Sequence, residues 1–219
     1  MSLNQYIDHT LLKATATPDE IRKLCAEAKT HQFFSVCINS CYVPLAKAEL
    51  AGSAVKVCTV VGFPLGAMAP KAKLFETQNA IADGADEVDM VLNVGWLKAG
   101  RTDEVRDEIQ ALKAAVGNRV LKVILETCYL TDDEKKLACR LCVEAGADFV
   151  KTSTGFGTGG ATPEDAKLMV TAVAGKASVK ASGGVRDAAA AQMYVDLGVK
   201  RLGTSNGIAI VSGASGAGY

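Results

Sequence analysis

Ala145-Gly146-Ala147-Asp148-Phe149-Val150 reads as the end of one element and the start of another: a glycine that stops a helix, then β-prone residues that open a strand. The same junction recurs at Asp83-Gly84-Ala85-Asp86-Glu87-Val88 and at Leu197-Gly198-Val199-Lys200-Arg201-Leu202. Three helix-to-strand junctions in one chain imply repeated βα units. Helix starts are marked as plainly. Thr17-Pro18-Asp19-Glu20 and Thr131-Asp132-Asp133-Glu134 place a capping hydroxyl three residues before a glutamate, and Thr162-Pro163 repeats the cap with proline in the first turn.

Between these marks, short apolar runs predict eight strands: around Ile7 to Thr10, Ser35 to Ile38, Lys56 to Val61, Glu87 to Leu92, Val120 to Leu125, Phe149 to Thr152, Ser178 to Ala181 and Arg201 to Thr204. Helical stretches separate them, the shortest around Tyr42 to Leu50. Eight strands alternating with helices predict an α/β fold, a single-domain (β/α)8 TIM barrel over residues 1–211, with a Gly- and Ser-rich tail over 212–219. Loss of the first or last strand would leave an open doubly wound sheet instead. A length of 219 residues and 49% hydrophobic content fit one large domain, and the scarcity of aromatics, 5%, suits helices packed on a sheet of small branched residues.

The 24 basic and 24 acidic side chains cancel without any run of like charge, which argues against nucleic acid and an anionic membrane as partners and leaves a small molecule. Seven cysteines, several in apolar runs, read as reduced thiols. Cys139 and Cys142 have CxxC spacing but no second pair, and His9 and His31 are the only histidines, so no metal site is expected. The first ten residues lack a signal-like apolar segment, and no run is long enough to span a bilayer, so a cytoplasmic location is expected. The general prevalence of symmetric assemblies adds a homo-oligomer, dimer or tetramer.

In a barrel the strand interiors are apolar, so an ionisable residue near the C-terminal end of a strand stands where active sites are built. Asp89, Lys151 and Lys180 meet that description. Alone, each could be a solvated strand end. Together they make a usable set, since burial and a neighbouring ammonium both favour the neutral amine that attacks carbonyls, and an aspartate can carry protons. Three loops rich in glycine and small hydroxyls follow the last three strands, at Ser153-Thr154-Gly155-Phe156-Gly157, Ser182-Gly183-Gly184-Val185 and Gly203-Thr204-Ser205-Asn206-Gly207. One such loop could be a plain glycine turn, but three on adjacent strands at the barrel mouth favour a phosphate site built from backbone N–H groups. Gly159-Gly160 reads as added flexibility. Lys122 reads as a solvated strand start, Cys37 as a buried inert thiol, and His9 as either a structural partner of Asp8 or a substrate contact.

Ile7-Asp8-His9-Thr10-Leu11-Leu12, Glu87-Val88-Asp89-Met90-Val91, Val150-Lys151-Thr152-Ser153-Thr154-Gly155-Phe156 and Val179-Lys180-Ala181-Ser182-Gly183-Gly184 resemble, in order and spacing, the deoxyribose-phosphate aldolase family. The resemblance implies a class I aldolase, a lyase without metal or cofactor, that reversibly splits 2-deoxy-D-ribose 5-phosphate into D-glyceraldehyde 3-phosphate and acetaldehyde. It implies Lys151 as the Schiff-base lysine, Lys180 as the lysine that keeps it deprotonated and takes part in proton transfer, and Asp89 as the proton relay, acting through a water. It also implies Gly155, Gly183, Gly184, Gly203, Ser205 and Asn206 at the phosphate, with Thr152 and Asp8 nearer the sugar hydroxyl. Some family members carry a lysine directly after the loop glycine, where this chain has Phe156. Family members often end in tyrosine, so Tyr219 is expected to fold over the mouth and assist proton transfer. The rival readings are another Schiff-base sugar-phosphate or transaldolase-like barrel, and a non-catalytic barrel that binds a sugar phosphate.

Overall fold

The three junction glycines take left-handed backbone angles, with φ of 105° at Gly84, 78° at Gly146 and 99° at Gly198. At each, the next residue's amide reaches back over the helix end, Ala85 N to Ala80 O, Ala147 N to Cys142 O and Val199 N to Tyr194 O, at 2.9, 3.0 and 3.1 Å. This is the Schellman closure that only a residue tolerant of positive φ completes without strain. Asp86 and Asp148 then each accept the amide of a neighbouring strand, from Val57 at 2.9 Å and Leu121 at 2.8 Å, so the junction that ends a helix also aligns the next strand.

The protein is described by a computed structural model over residues 2–214. Its strands are β1 (Ile7–Leu11), β2 (Ser35–Ile38), β3 (Lys56–Val61), β4 (Glu87–Val91), β5 (Val120–Ile124), β6 (Phe149–Lys151), β7 (Ser178–Ser182) and β8 (Arg201–Thr204). The helices are α1 (Pro18–Thr30), α2 (Val43–Glu49), α3 (Pro70–Ala82), α4 (Val94–Lys98), α5 (Thr102–Val116), α6 (Asp132–Glu144), α7 (Pro163–Val173), α8 (Ala188–Asp196) and α9 (Gly207–Ser212). Every strand pairs in parallel with the next and β8 closes onto β1, which makes a (β/α)8 barrel and excludes the open sheet. Capping boxes form at Thr17 and Thr131, and Thr162 caps α7. Between β4 and β5 the helical stretch breaks in two at Gly100, whose φ is 73°. Tyr219 lies outside the described residues.

Strand alternation splits the interior into two environments. Outward positions such as Val36, Val57, Val88, Met90, Leu121, Val123, Val150, Val179 and Leu202 join the helices in one large apolar layer. Inward positions carry only a small apolar group, Leu12, Cys37, Cys58 and Val60 with Phe63 beside them. Val91 and Ile124 share these inward faces, and at the centre of the lumen the side chains are ionic. Among the described residues no helix is long and apolar enough to cross a membrane.

Candidate active site

Seven charged side chains meet inside the barrel: Asp8 on β1, Glu87 and Asp89 on β4, Lys122 on β5, Lys151 on β6, Lys180 on β7 and Arg201 on β8. Asp89 is the centre. Its Oδ1 accepts from Lys122 Nζ at 2.7 Å and from Cys58 Sγ at 3.1 Å, and its Oδ2 accepts from Lys151 Nζ at 2.9 Å and Lys180 Nζ at 2.8 Å. Lys122 Nζ also lies 2.6 Å from Glu87 Oε2. Arg201 bridges Glu87 and Asp8, with Nε 2.8 Å from Asp8 Oδ1, and packs its guanidinium 3.5 Å from the Phe34 ring centre. Lys180 makes a close ion pair with Asp8.

Unpaired, buried charges of this kind would neutralise; here the partners outweigh desolvation. Burial alone would raise Asp89, but Lys122, Lys151 and Lys180 hold it well below the usual carboxylate range. Asp8 is held low against the same burial by Arg201, Lys180 and Lys122. Burial would lower Lys180, yet Asp8 and Asp89 push it far above an ordinary lysine. Lys122 is likewise driven up, mainly by Asp89. Four cations face three carboxylates, a net of 4 − 3 = +1, so one amine can surrender its proton and leave the cluster neutral. The thiols of Cys37 and Cys58 lie close to Asp89. Cys37 is buried, as expected, and its Cys58 neighbour draws its thiol down to about 7 against burial.

At the C-terminal ends of the strands a small cavity is lined by Thr10, Lys151, Thr154, Ser182 and Gly203 with the late loops around Gly155, Gly183 and Ser205. Lys151 is the one member of the charged cluster that reaches this lining. Gly155 and Gly183 have φ of 87° and 83°, and the buried Ser205 hydroxyl has no hydrogen-bond partner among the described residues. Gly203 has a steric reason: a Cβ there would lie 2.9 Å from Ser182 Cβ and 3.1 Å from Lys180 Cε. A larger hollow of about 420 Å³, between Gln5, Lys29, Phe34 and Lys56, sits at the opposite end of the barrel, and no member of the charged cluster lines it.

Several expectations change. Thr152 is turned away from the cavity: its hydroxyl donates to Ser182 O and accepts from Ser182 N, both at 3.1 Å, and Thr154 takes its place in the lining. Asp8 is spent on Lys180, Arg201 and Ser35 and is not in the lining. Gly184 and Asn206 flank the cavity without lining it. Lys122 is fully buried in the ionic cluster and is no solvated strand start. His9 faces outward, 2.8 Å from Glu27 Oε2 and against Phe33, so it neither pairs with Asp8 nor touches the cavity. Phe156 packs edge-on against Phe63 at 5.3 Å and, with Leu65, Tyr129 and Glu126, lines an adjoining cleft that shares Thr154 with the mouth cavity. Gly160 supplies close approach: a Cβ there would lie 2.4 Å from Gly183 O. Gly160→Ala is therefore expected to cost about 1–3 kcal/mol in urea unfolding and to reduce turnover by shifting the Gly183 loop.

Fold and site together define a barrel lyase of carbonyl chemistry, an aldolase. The chain belongs to the DeoC/LacD aldolase family, which its sequence matches over residues 3–214. It is 58% identical to the deoxyribose-phosphate aldolase of Brevibacillus brevis over all of both chains. It is also 58% identical to that of Finegoldia magna, over 97% of this chain and all of the relative. A solved deoxyribose phosphate aldolase from Aeropyrum pernix, described as tetrameric, superposes with a TM-score of 0.88 at 32% identity, covering 96% of this chain and 89% of that one.

Proposed function

We propose that the chain is a class I aldolase that reversibly cleaves 2-deoxy-D-ribose 5-phosphate to D-glyceraldehyde 3-phosphate and acetaldehyde. The carrying observation is that Lys151 alone joins the charged cluster to the mouth cavity. Its free amine adds to C1 of the open-chain sugar, and loss of water gives an iminium. That iminium takes the electron pair of the C2–C3 bond as it breaks, while the proton of the C3 hydroxyl leaves to a base and C3 becomes the aldehyde of glyceraldehyde 3-phosphate. The enamine left on Lys151 is protonated at C2, and water releases acetaldehyde. Asp89, which accepts from both Lys151 and Lys180 on one oxygen but does not line the cavity, relays these protons through a water, and Lys180 stays charged beside it.

The phosphate end is held by the late loops. Ser205, with its unsatisfied hydroxyl, and the left-handed glycines 155 and 183 supply donors, with no cation but Lys151 in the lining among the described residues. Ser205→Ala is expected to raise KM for the phosphorylated sugar roughly tenfold to a hundredfold, the range for one hydrogen bond to a charged group, and to leave KM for unphosphorylated deoxyribose unchanged. Acetaldehyde assayed as a product of deoxyribose 5-phosphate tests the whole reading. A different aldehyde or ketone would favour a transaldolase-like barrel, and binding without products a non-catalytic one. The seven free thiols support a reducing, cytoplasmic setting. A homo-oligomer is expected by analogy with the Aeropyrum pernix protein, and light scattering tests it.

A further inference from the structure

We infer that Glu126 is a positioning residue that fixes the direction of the Thr154 hydroxyl, so that Thr154 offers the bound sugar an acceptor and not a donor. The inference rests on the proposed aldolase reading and goes beyond it.

Glu126 follows β5 in a left-handed conformation, φ 54° and ψ 64°, which costs a residue with a Cβ, and it is only 3% exposed. The backbone there is already stitched to the chain after Lys151 by Leu125 N to Lys151 O at 2.9 Å and Thr127 N to Thr152 O at 3.0 Å. The Glu126 side chain makes further bonds beyond that stitching. Its Oε1 accepts from Thr154 N at 3.1 Å, and its Oε2 accepts from the Thr154 hydroxyl in a short contact. Gly157 leaves the room for this arrangement, since a Cβ there would lie 3.0 Å from Glu126 Cδ.

The Thr154 hydroxyl has one hydrogen and two lone pairs. That hydrogen is directed at Glu126 Oε2, which accepts it. One lone pair takes the Phe156 N–H at 3.0 Å. The second lone pair remains, on a residue that lines both the mouth cavity and the adjoining cleft of Leu65, Tyr129 and Phe156. A group with only a lone pair to give selects a ligand donor, such as a sugar hydroxyl, and disfavours a phosphate oxygen.

Glu126→Gln keeps the size but reverses the polarity, because the amide nitrogen donates to Thr154 Oγ1 and frees the threonine hydrogen toward the cavity. Two reactions separate positioning from a general structural role. Exchange of acetaldehyde's C2 hydrogens with deuterated water needs Lys151 but no sugar hydroxyl, whereas cleavage of deoxyribose 5-phosphate needs both. In Glu126→Gln, kcat/KM for cleavage is expected to fall roughly tenfold or more, the scale of one reversed hydrogen bond, while exchange changes less than about threefold. Thr154→Val should show the same selective loss, and the double variant should lose no more than Thr154→Val alone. As a check that does not use the glutamate variant, the Thr154→Val deficit in the condensation direction should vanish for an acceptor aldehyde phosphate that lacks the hydroxyl. Equal losses in exchange and cleavage, fully additive losses in the double variant, or a deficit that persists without the hydroxyl would each overturn the inference. A wild-type protein that exchanges no acetaldehyde hydrogens would instead overturn the aldolase reading, and the inference with it.

Discussion

Borohydride reduction in the presence of acetaldehyde is expected to leave a single ethyl group on the protein, and peptide mapping to find it on Lys151. Lys180, Lys122 and Lys73 are all as deeply buried, but each ends against carboxylates or carbonyls away from the mouth cavity. Lys180 is held as an ammonium by Asp8 and Asp89 and has no lone pair to give. Lys151→Ala should abolish the adduct and reduce turnover on the order of 10⁴-fold or more, the scale for loss of a covalent nucleophile. The variant should still fold, because removing one cation leaves three against three carboxylates in the barrel. An adduct on Lys180 in the wild type would reverse the two roles, and a folded protein with no adduct would favour a binding barrel.

Why Lys151, Lys180 and Asp89 were legible in the sequence, and their neighbours were not, comes down to register. A charge in the middle of an apolar run stands out whatever the register, as Asp89 does in Glu87-Val88-Asp89-Met90-Val91. Glu87 and Arg201 open their strands, where solvent is the ordinary expectation, and Lys122 lies near the start of its own. Only the pairing of Asp89 with Lys122 and of Lys180 with Arg201 shows that these residues face the same lumen. Part of the signal was available: Glu87 and Asp89 are two apart and so share a face. The same parity turns Thr152 away from the Lys151 side, which the resemblance to known aldolases passed over. Thr154 and Glu126 lie beyond the strand ends, where period two no longer applies, and their meeting depends on a left-handed residue that composition does not announce. The eight strands themselves were readable to within a residue or so at each end, because the glycine junctions and capping boxes are local chemistry and need no tertiary information.

Asp89→Asn should be the most damaging conservative change in the barrel. It keeps shape and volume but leaves four cations facing two carboxylates, a net of 4 − 2 = +2 in a space from which Asp89 and Lys180 are shut off from solvent. Breaking a buried ion pair by removing one partner costs about 3–5 kcal/mol, and urea unfolding at neutral pH should register that loss. Turnover should fall by roughly 10²–10⁴-fold as well, since the same oxygen serves Lys151 and Lys180 as proton carrier. The pH dependence gives a second, independent reading. Asp89 has a folded value well below its ordinary 3.8, so its stabilisation is fully present above that value and is lost as pH falls toward the folded one. Lys180, raised above its ordinary 10.5, contributes below that value and loses its contribution only as pH rises through the folded one. Wild-type stability from this cluster is thus level across the neutral range and falls at both extremes. In Asp89→Asn the acid-side fall should be shallower, because one of the carboxylates responsible for it is gone, while Asp8, held low by Arg201, Lys180 and Lys122, still contributes. An unchanged acid slope together with unchanged stability at pH 7 would mean that the charge of Asp89 is dispensable to the fold, and the balance of cations and carboxylates in the barrel would need another explanation.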